Sequence, residues 1–385
     1  MTVPMPGRGD PVTAVLPAGL GTGAGAAETA LSLRDQALAA LDAGDPRAAL
    51  ALVGDALSAL ARAGLDDGPD EAAVLVARAE IEEALDRFGP ARATAAAAIG
   101  LLGGDGGPGG ADGDLLMLWC QAQERQAGLD RLAGDYAAAA ARLARVLDVA
   151  SAAFGEASPA VVSAANALGV VVKYAGDFGA AEAAYQRALA AAGGLDRADP
   201  LTQAGLLHNL GGLAHSRGDA ASGIPLAERG LALRAGTLGG GHPDVARDSN
   251  ALGALYHLAG RYADADRAYH DALGVFEDRY GPDHFEAAMT CANLAVLHAD
   301  QGHFADAEAA GRRALLILET ILGPGDAEVG LTLLNLAAAV AGQDRQAEAA
   351  ALAERAEQVL AARLPADHPH LSAAHDTLAY LQRPS

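Results

Sequence analysis

The stretch Asn250-Ala-Leu-Gly-Ala-Leu-Tyr-His-Leu-Ala-Gly260-Arg-Tyr262 carries the features that decide the fold of this chain. Its apolar residues follow helical spacing up to Leu258, and Gly260 then favours the left-handed conformation that ends a helix. The same ending recurs with a constant period of 42 residues, at glycines 134, 176, 218, 260 and 302. A constant period of this length predicts an array of two-helix repeats.

The period extends over most of the chain. Continued forwards it reaches Asp344, and continued backwards it reaches Asp86 and Gly44 after one shift of six residues. We term these eight positions the anchors. The shift coincides with the glycine-rich stretch at 103–110, which predicts a loop insertion. Departures from the pattern predict less regular packing in four places: Val146, Ala220, Asp344 and Gln346.

Small side chains mark three further positions in every repeat. They lie seven residues before, five residues after and twelve residues after the anchor, and 23 of these 24 positions hold Ala or Gly. Helix axes come close together only where the side chains between them are small. We therefore expect these positions to form the contacts between paired helices.

The composition favours helices and restricts the partners. Of the 385 residues, 51% are apolar but only 4% aromatic, and the net charge is -22. Such a surface repels phosphate, which argues against nucleic acid and anionic membranes as partners. It favours a basic partner, or it serves solubility alone. Cys120 and Cys291 are far apart, so we expect buried thiols without a disulfide, as in a cytoplasmic protein.

No motif for catalysis is found. The single lysine, Lys173, is followed by tyrosine, which excludes a phosphate-binding loop of the Gly-Lys-Ser/Thr type. The glycines at 19–25 follow Pro17 and no strand pattern supports a dinucleotide site. His368, His370 and His375 are close in sequence but lack a surrounding ligand pattern. We therefore predict a protein that is not an enzyme and has no metal and no cofactor.

These repeats resemble the tetratricopeptide repeat, in the 42-residue form of kinesin light chain. The resemblance is strongest at 250–262 and in Asn293-Leu-Ala-Val-Leu297 followed by Gly302-His-Phe304. The Leu-Gly ending and His-Pro turn at 238–243 are similar to those of the family. The resemblance covers 118–385 well and 28–102 loosely.

The resemblance implies an all-α fold, a right-handed superhelical solenoid of antiparallel helix pairs. On this basis we divide the chain into five parts. These are a flexible tail at 1–27, divergent helical repeats at 28–102, a glycine-rich loop at 103–113, six kinesin-light-chain-like repeats at 114–369, and a capping helix at 370–385.

In this family the first helix of each pair lines a concave groove that binds peptides or partner helices. The resemblance therefore directs attention to the asparagines of the first helices: Asn166, Asn209, Asn250, Asn293 and Asn335. An asparagine amide can both donate to and accept from a peptide backbone. Alternatively, these side chains hydrogen-bond between repeats and hold the array together.

A second set of candidates is basic or titratable. Lys173, His215 and His257 lie three residues before successive anchors, and Arg247 is a possible addition. Such a row can meet carboxylates of a partner, more strongly below about pH 6.5 where histidine is charged. The alternative is that these are ordinary surface residues.

Two functions follow from the sequence. The first is a cytoplasmic, non-catalytic scaffold that binds a peptide or partner protein in the groove. The second is a regulatory or sensor subunit that controls an effector enzyme on another chain. A hydrolase or metal enzyme within the divergent N-terminal half is a third hypothesis, which the absence of motifs disfavours.

Overall fold

The computed structural model describes residues 24–109, 112–195, 199–364 and 368–382. This part of the chain contains 17 α-helices, one short 3₁₀ turn at Gly104–Gly106 and no β-strand. The helices are α1 Ala24–Asp42, α2 Pro46–Ala63, α3 Pro69–Ala84, α4 Phe88–Leu101, α5 Gly113–Leu132, α6 Tyr136–Phe154, α7 Pro159–Tyr174, α8 Phe178–Gly193, α9 Pro200–Ser216, α10 Ala220–Leu238, α11 Pro243–Leu258, α12 Tyr262–Tyr280, α13 Phe285–Asp300, α14 Phe304–Leu322, α15 Ala327–Ala341, α16 Gln346–Ala361 and α17 Pro369–Leu381.

The helices divide into two compact units. The boundary between the units falls between Thr202 and Gln203, near the beginning of α9, so the first unit contains α1 to α8 and the second contains α9 to α17. In both units the odd-numbered helix is the first of a pair, here termed the A helix, and the even-numbered helix is the B helix. Within a unit, successive A helices also pack on one another, as α5 does on α7 and α13 does on α15.

In the repeat of Gly260 the B helix spans Tyr262–Tyr280, directly after the helix end predicted at that glycine. At the N-terminus, α1 begins at Ala24, inside the stretch expected to be a tail, and the rest of that expectation lies outside the described residues. At the C-terminus, α17 begins at Pro369 and ends at Leu381.

The small positions are where the sequence pattern and the packing coincide. All 24 of them are buried, including the one larger residue, Val146, which is completely inaccessible. At some of them even a methyl group would collide with a neighbour. A Cβ at Gly223 would lie 2.7 Å from Cδ2 of Leu255, and one at Gly230 would lie 3.2 Å from the carbonyl oxygen of Ala204.

The anchors end the first eight A helices, the odd-numbered helices from α1 to α15, in the same way. All eight have positive φ angles, between 58° and 84°, and Asp86 and Asp344 are the only residues other than glycine with positive φ in the described chain. At Gly260 the N–H donates to the carbonyl of His257, and the next N–H, of Arg261, donates to Tyr256. This is the Schellman motif, which satisfies carbonyls that the helix end leaves open.

The aspartate after four of the glycine anchors starts the B helix. In each case its side chain accepts a hydrogen bond from the N–H three residues later, as Asp177 does from Ala180 at 2.9 Å. The other three are Asp45, Asp135 and Asp219. A Gly-Asp pair therefore ends one helix and caps the next, which is why this dipeptide marks the repeat so clearly.

The glycine-rich insertion is fixed against the body of the first unit. The indole N–H of Trp119, a buried residue of α5, donates to the carbonyl of Gly104 at 2.8 Å. Arg142 forms an ion pair with Asp105 at 3.1 Å. A Cβ at Gly107 would touch the Trp119 ring at 3.5 Å, and its φ of +76° favours glycine. The described part of the predicted insertion, residues 103–109, is thus held by contacts to α5 and α6.

Candidate interaction surfaces on the A helices

One face of each A helix carries the predicted groove residues. This A-helix face consists of the positions 16, 13, 10, 9, 6 and 3 residues before the anchor, whose spacing places them on one side of a helix. In α11 it includes Asp244, Arg247, Asn250 and His257. The corresponding positions differ from helix to helix, and these differences decide which side chains have partners.

Between α11 and α13 the polar residues of this face bond to one another. Arg247 Nε donates to Oε1 of Glu286 at 2.7 Å, and Arg247 also pairs with Asp244. Asn293 Nδ2 donates to Oδ1 of Asn250 at 3.3 Å. These candidate site residues therefore hold adjacent repeats together, as the alternative interpretation of the asparagines expects.

Between α13 and α15 the side chains equivalent to Arg247 and Asn250 are replaced. Met289 stands where Arg247 stands one repeat earlier, and Ala292 stands where Asn250 stands. On α15 the counterparts are Glu328 and Asn335. Within the described chain Asn335 Nδ2 is buried without a hydrogen-bond partner.

Glu328 is the more unusual of these two residues. Only 8% of it is exposed, and among the described residues no cation or hydrogen-bond donor meets its carboxylate. Burial, with a smaller contribution from Asp326, raises the pKa of Glu328 to about 7. An internal cation would have lowered this pKa.

The remaining candidates of the second unit are already engaged within the chain. His257 Nε2 lies 2.8 Å from Oδ2 of Asp300, so an internal carboxylate occupies the histidine. Asn209 and His215 on α9 are half-buried and make contacts within the chain, and the same holds for Asn166 on α7 of the first unit. The row of Lys173, His215 and His257 is divided between the two units.

In the first unit, two cations converge on one aromatic ring. The guanidinium of Arg131, on α5, lies 5.2 Å from the ring centroid of Tyr174, and Lys173 Nζ lies 5.8 Å from it. Neither cation has a carboxylate partner among the described residues, and burial lowers the pKa of Lys173. Arg131 is three residues before its anchor, so the period itself could have pointed to it, but the sequence analysis missed it.

Two other polar groups of the first unit were also missed. Gln121 of α5 has both its amide nitrogen and its amide oxygen buried without a hydrogen-bond partner in the described chain. Three residues later, burial raises the pKa of Glu124 to about 7, although a hydrogen bond from Ser163 at 2.5 Å and the charge of Arg125 oppose the rise. Gln121 and Glu124 lie on the A-helix face of α5, 13 and 10 residues before Gly134.

The second unit also contains a buried ionic cluster, formed by side chains of α9, α10 and α11. Arg234 of α10 and Asp248 of α11 are 4% and 5% exposed, and Arg234 Nε donates to Asp248 Oδ2 at 2.8 Å. His208 Nδ1 of α9 lies 2.8 Å from the other oxygen of Asp248. Asp248 therefore links three helices, which assigns it to the interior of the fold.

The described residues contain no arrangement suited to a metal ion or to a membrane span. No group of three or more His, Cys, Asp or Glu side chains is placed to hold a metal ion, and the histidines at 368, 370 and 375 form no such group. No helix in these residues has the length and apolar character needed to cross a membrane. Cys120 and Cys291 are both buried and free.

Comparison with known proteins identifies the family. The tetratricopeptide repeat model matches residues 120–193, 202–278 and 249–320, which together make up half of the chain. The chain therefore belongs to the tetratricopeptide repeat family, as the resemblance of its repeats predicts. None of the curated proteins matches it.

Two solved structures, BtubC and a Rap protein, share the fold. BtubC (BKLC) from P. vanneervenii is 25% identical, with a TM-score of 0.51 over 60% of this chain and 92% of the other. A Rap protein complexed with Competence and Sporulation Factor is 12% identical, with a TM-score of 0.52 over 92% and 97%. Kinesin light chain TPR-like repeats from Podospora anserina are 20% identical, with a TM-score of 0.42 over 48% and 87%. The predicted all-α repeat fold is confirmed, and arrays of this family typically serve as scaffolds for protein interactions.

Proposed function

We propose that this chain is a non-catalytic scaffold that binds a peptide segment of a partner protein along the A-helix face. One observation carries the proposal: Lys173 and Arg131 converge on Tyr174, and no carboxylate of the described residues pairs with either cation. The chain has far more acidic than basic residues, 49 against 27, so cations left without a carboxylate are conspicuous.

The cluster suits a carboxylate of the partner. A carboxylate between the two cations gains charge-assisted hydrogen bonds, while Tyr174 offers an apolar surface for the carbon atoms next to it. The half-buried position of Lys173 strengthens the attraction, because a partly excluded solvent screens charges less. Among the basic candidates, Arg247 and His257 fit this role less well, since Asp244, Glu286 and Asp300 already meet them.

The amide of Gln121 supports binding of a backbone. Its unpaired donor and acceptor lie on the same face of α5 as Arg131, ten residues before it, or about 15 Å along the helix axis. An extended peptide of about five residues spans that distance. Such a segment would satisfy the amide through its backbone and the two cations through an acidic side chain.

A positional library of end-blocked hexapeptides tests the proposal. The immobilised full chain should retain peptides with Asp or Glu at one position, and Lys173→Gln combined with Arg131→Gln should remove that preference and flatten the salt dependence of binding. The matched control is Arg187→Gln, which removes one charge from α8, where Arg187 pairs with Glu156. Retention of no peptide, or an acidic preference unchanged in the double variant, would reject the proposal.

A further inference from the structure

Within the part of the chain that the structure describes, two polar groups on α15 lack the partners that their equivalents on α13 possess. Across the contact between α11 and α13, Glu286 accepts a hydrogen bond from Arg247, and Asn293 donates one to Asn250. One repeat later the spacing is the same: Glu328 follows Met289 by 39 residues, as Glu286 follows Arg247. Asn335 follows Ala292 by 43 residues, as Asn293 follows Asn250.

Both losses fall on the same helix and the same face. The replacement of Arg by Met and of Asn by Ala on α13 removes the cation and the acceptor, while the counterparts on α15 are retained. Among the described residues the Glu328 carboxylate and the Asn335 amide Nδ2 are thereby left without a partner in a nearly buried place, which costs stability in the absence of a ligand. Met289 and Ala292 therefore open a polar site that the preceding repeat fills with its own side chains.

The distance between the Glu328 carboxylate and the Asn335 amide along α15 sets the length of peptide that can reach both. Glu328 and Asn335 are seven residues apart on α15, with Leu331 between them on the same face, which corresponds to about 10 Å along the helix axis. An extended chain covers that distance in about three residues. Met289 is 8% exposed and has a flexible, uncharged side chain, which can move when a ligand enters.

We infer that the A-helix face between α13 and α15 binds an extended peptide segment whose lysine or arginine side chain meets Glu328 and whose backbone carbonyl accepts from Asn335. The inference rests on the proposed function and specifies the chemistry of the peptide side chain that binds at this second site. The chain's net charge of -22 favours the approach of such a basic side chain.

The hexapeptide library provides the test, with Lys and Arg as the residues scored. The wild-type chain should prefer a peptide with one Arg or Lys over the same peptide with Gln by about tenfold, the effect of one well-placed charge-assisted bond. Glu328→Gln should abolish this preference. Asn335→Ala should weaken the binding of basic and neutral peptides to the same extent.

Met289→Arg is the matched variant, because it supplies the arginine that the preceding repeat has. It should satisfy Glu328 internally and remove the preference for basic peptides without changing Glu328 itself. If this variant fails to fold, Glu328→Gln alone decides. A preference for Lys or Arg that survives Glu328→Gln, or peptide binding without any such preference, would overturn the inference and leave the proposed function standing. Binding of no peptide at all would overturn both.

Discussion

Gly253 lies directly against the ring of Tyr269: a Cβ atom at Gly253 would come within 2.7 Å of Cε1 of the tyrosine. The equivalent pair in the first unit is Gly169 and Tyr185, at 2.5 Å. These positions face each other across the A and B helices of one repeat, seven residues before and nine after the anchor. Where the first position is alanine, the second is smaller than tyrosine, as in Ala127 with Leu143, Ala295 with Gly311, and Ala337 with Ala353.

Because the two positions share one space, Gly253→Ala should destabilise the second unit by about 1–3 kcal/mol, the usual effect of overpacking. Urea unfolding followed by circular dichroism measures this. Adding Tyr269→Leu should recover part of the loss relative to the sum of the two single changes. The control is Gly274→Ala in α12, where a Cβ meets nothing within 4 Å. It should stabilise the helix, and a loss as large as that of Gly253→Ala would contradict the packing argument.

Asp344 and Asp86 keep the left-handed conformation that glycine has at the other anchors, with φ angles of 61° and 58°. A side chain in this conformation carries a cost of roughly 1–2 kcal/mol, which glycine avoids. Asp344→Gly should therefore raise stability, by about 0.5–1 kcal/mol after the greater freedom of glycine in the unfolded chain is subtracted. Gly302→Ala, which places a side chain at the anchor one repeat earlier, should lower the free energy of unfolding. Equal melting temperatures for the parent and both variants would count against this account.

The period, the anchors and the small positions could be predicted from the sequence because each has a local cause. A helix end requires a left-handed residue, and a close helix contact requires a small one, whatever the rest of the chain does. Asp344 shows the strength of this rule, since the backbone keeps the conformation although the residue changes. Val146, in a repeat for which we predict less regular packing, is fully buried.

The state of the candidate site residues could not be predicted in the same way. Asn293 and Asn335 occupy the same position in adjacent repeats, yet Nδ2 of Asn293 has a partner and Nδ2 of Asn335 has none among the described residues. The difference comes from residues 43 positions earlier, Asn250 and Ala292, on the neighbouring helix. A position within the repeat therefore indicates the face of a side chain, whereas its bonding depends on the adjacent repeat.

The buried pair of Arg234 and Asp248 provides a third prediction. Removing the guanidinium leaves the buried Asp248 with His208 as its remaining ion-pair partner among the described residues, so Arg234→Met should destabilise the second unit by about 3–5 kcal/mol. The double change Arg234→Met with Asp248→Asn should lose much less, because no unpaired charge remains. Thermal unfolding of the three proteins makes the comparison. A double variant as unstable as Arg234→Met would show that the space filled by the arginine matters more than its charge.

The raised pKa of Glu328 predicts how the stability of the unliganded chain depends on pH. Its pKa of about 7 in the folded chain lies above the ordinary value of 4.5, so the folded state binds more protons than the unfolded state between these values. Stability should therefore fall as pH rises from about 4.5 to 7, since each pKa unit corresponds to about 1.36 kcal/mol. Glu328→Gln should remove this part of the pH dependence and stabilise the protein most at neutral and alkaline pH.

Glu308 offers a control of opposite sign for that experiment. Burial would raise the pKa of Glu308, but hydrogen bonds from Arg312, Gln343 and Arg345 outweigh it and lower the pKa to about 2. Its stabilising contribution is present above about pH 4.5 and is lost as pH falls towards 2, so Glu308→Gln should destabilise the chain at neutral pH. Urea midpoints measured from pH 4 to 8 should thus shift in opposite directions for the two variants at pH 8. A Glu328→Gln protein whose midpoint follows the parent at every pH would mean that the folded chain does satisfy this carboxylate, and the site between α13 and α15 would lose its basis.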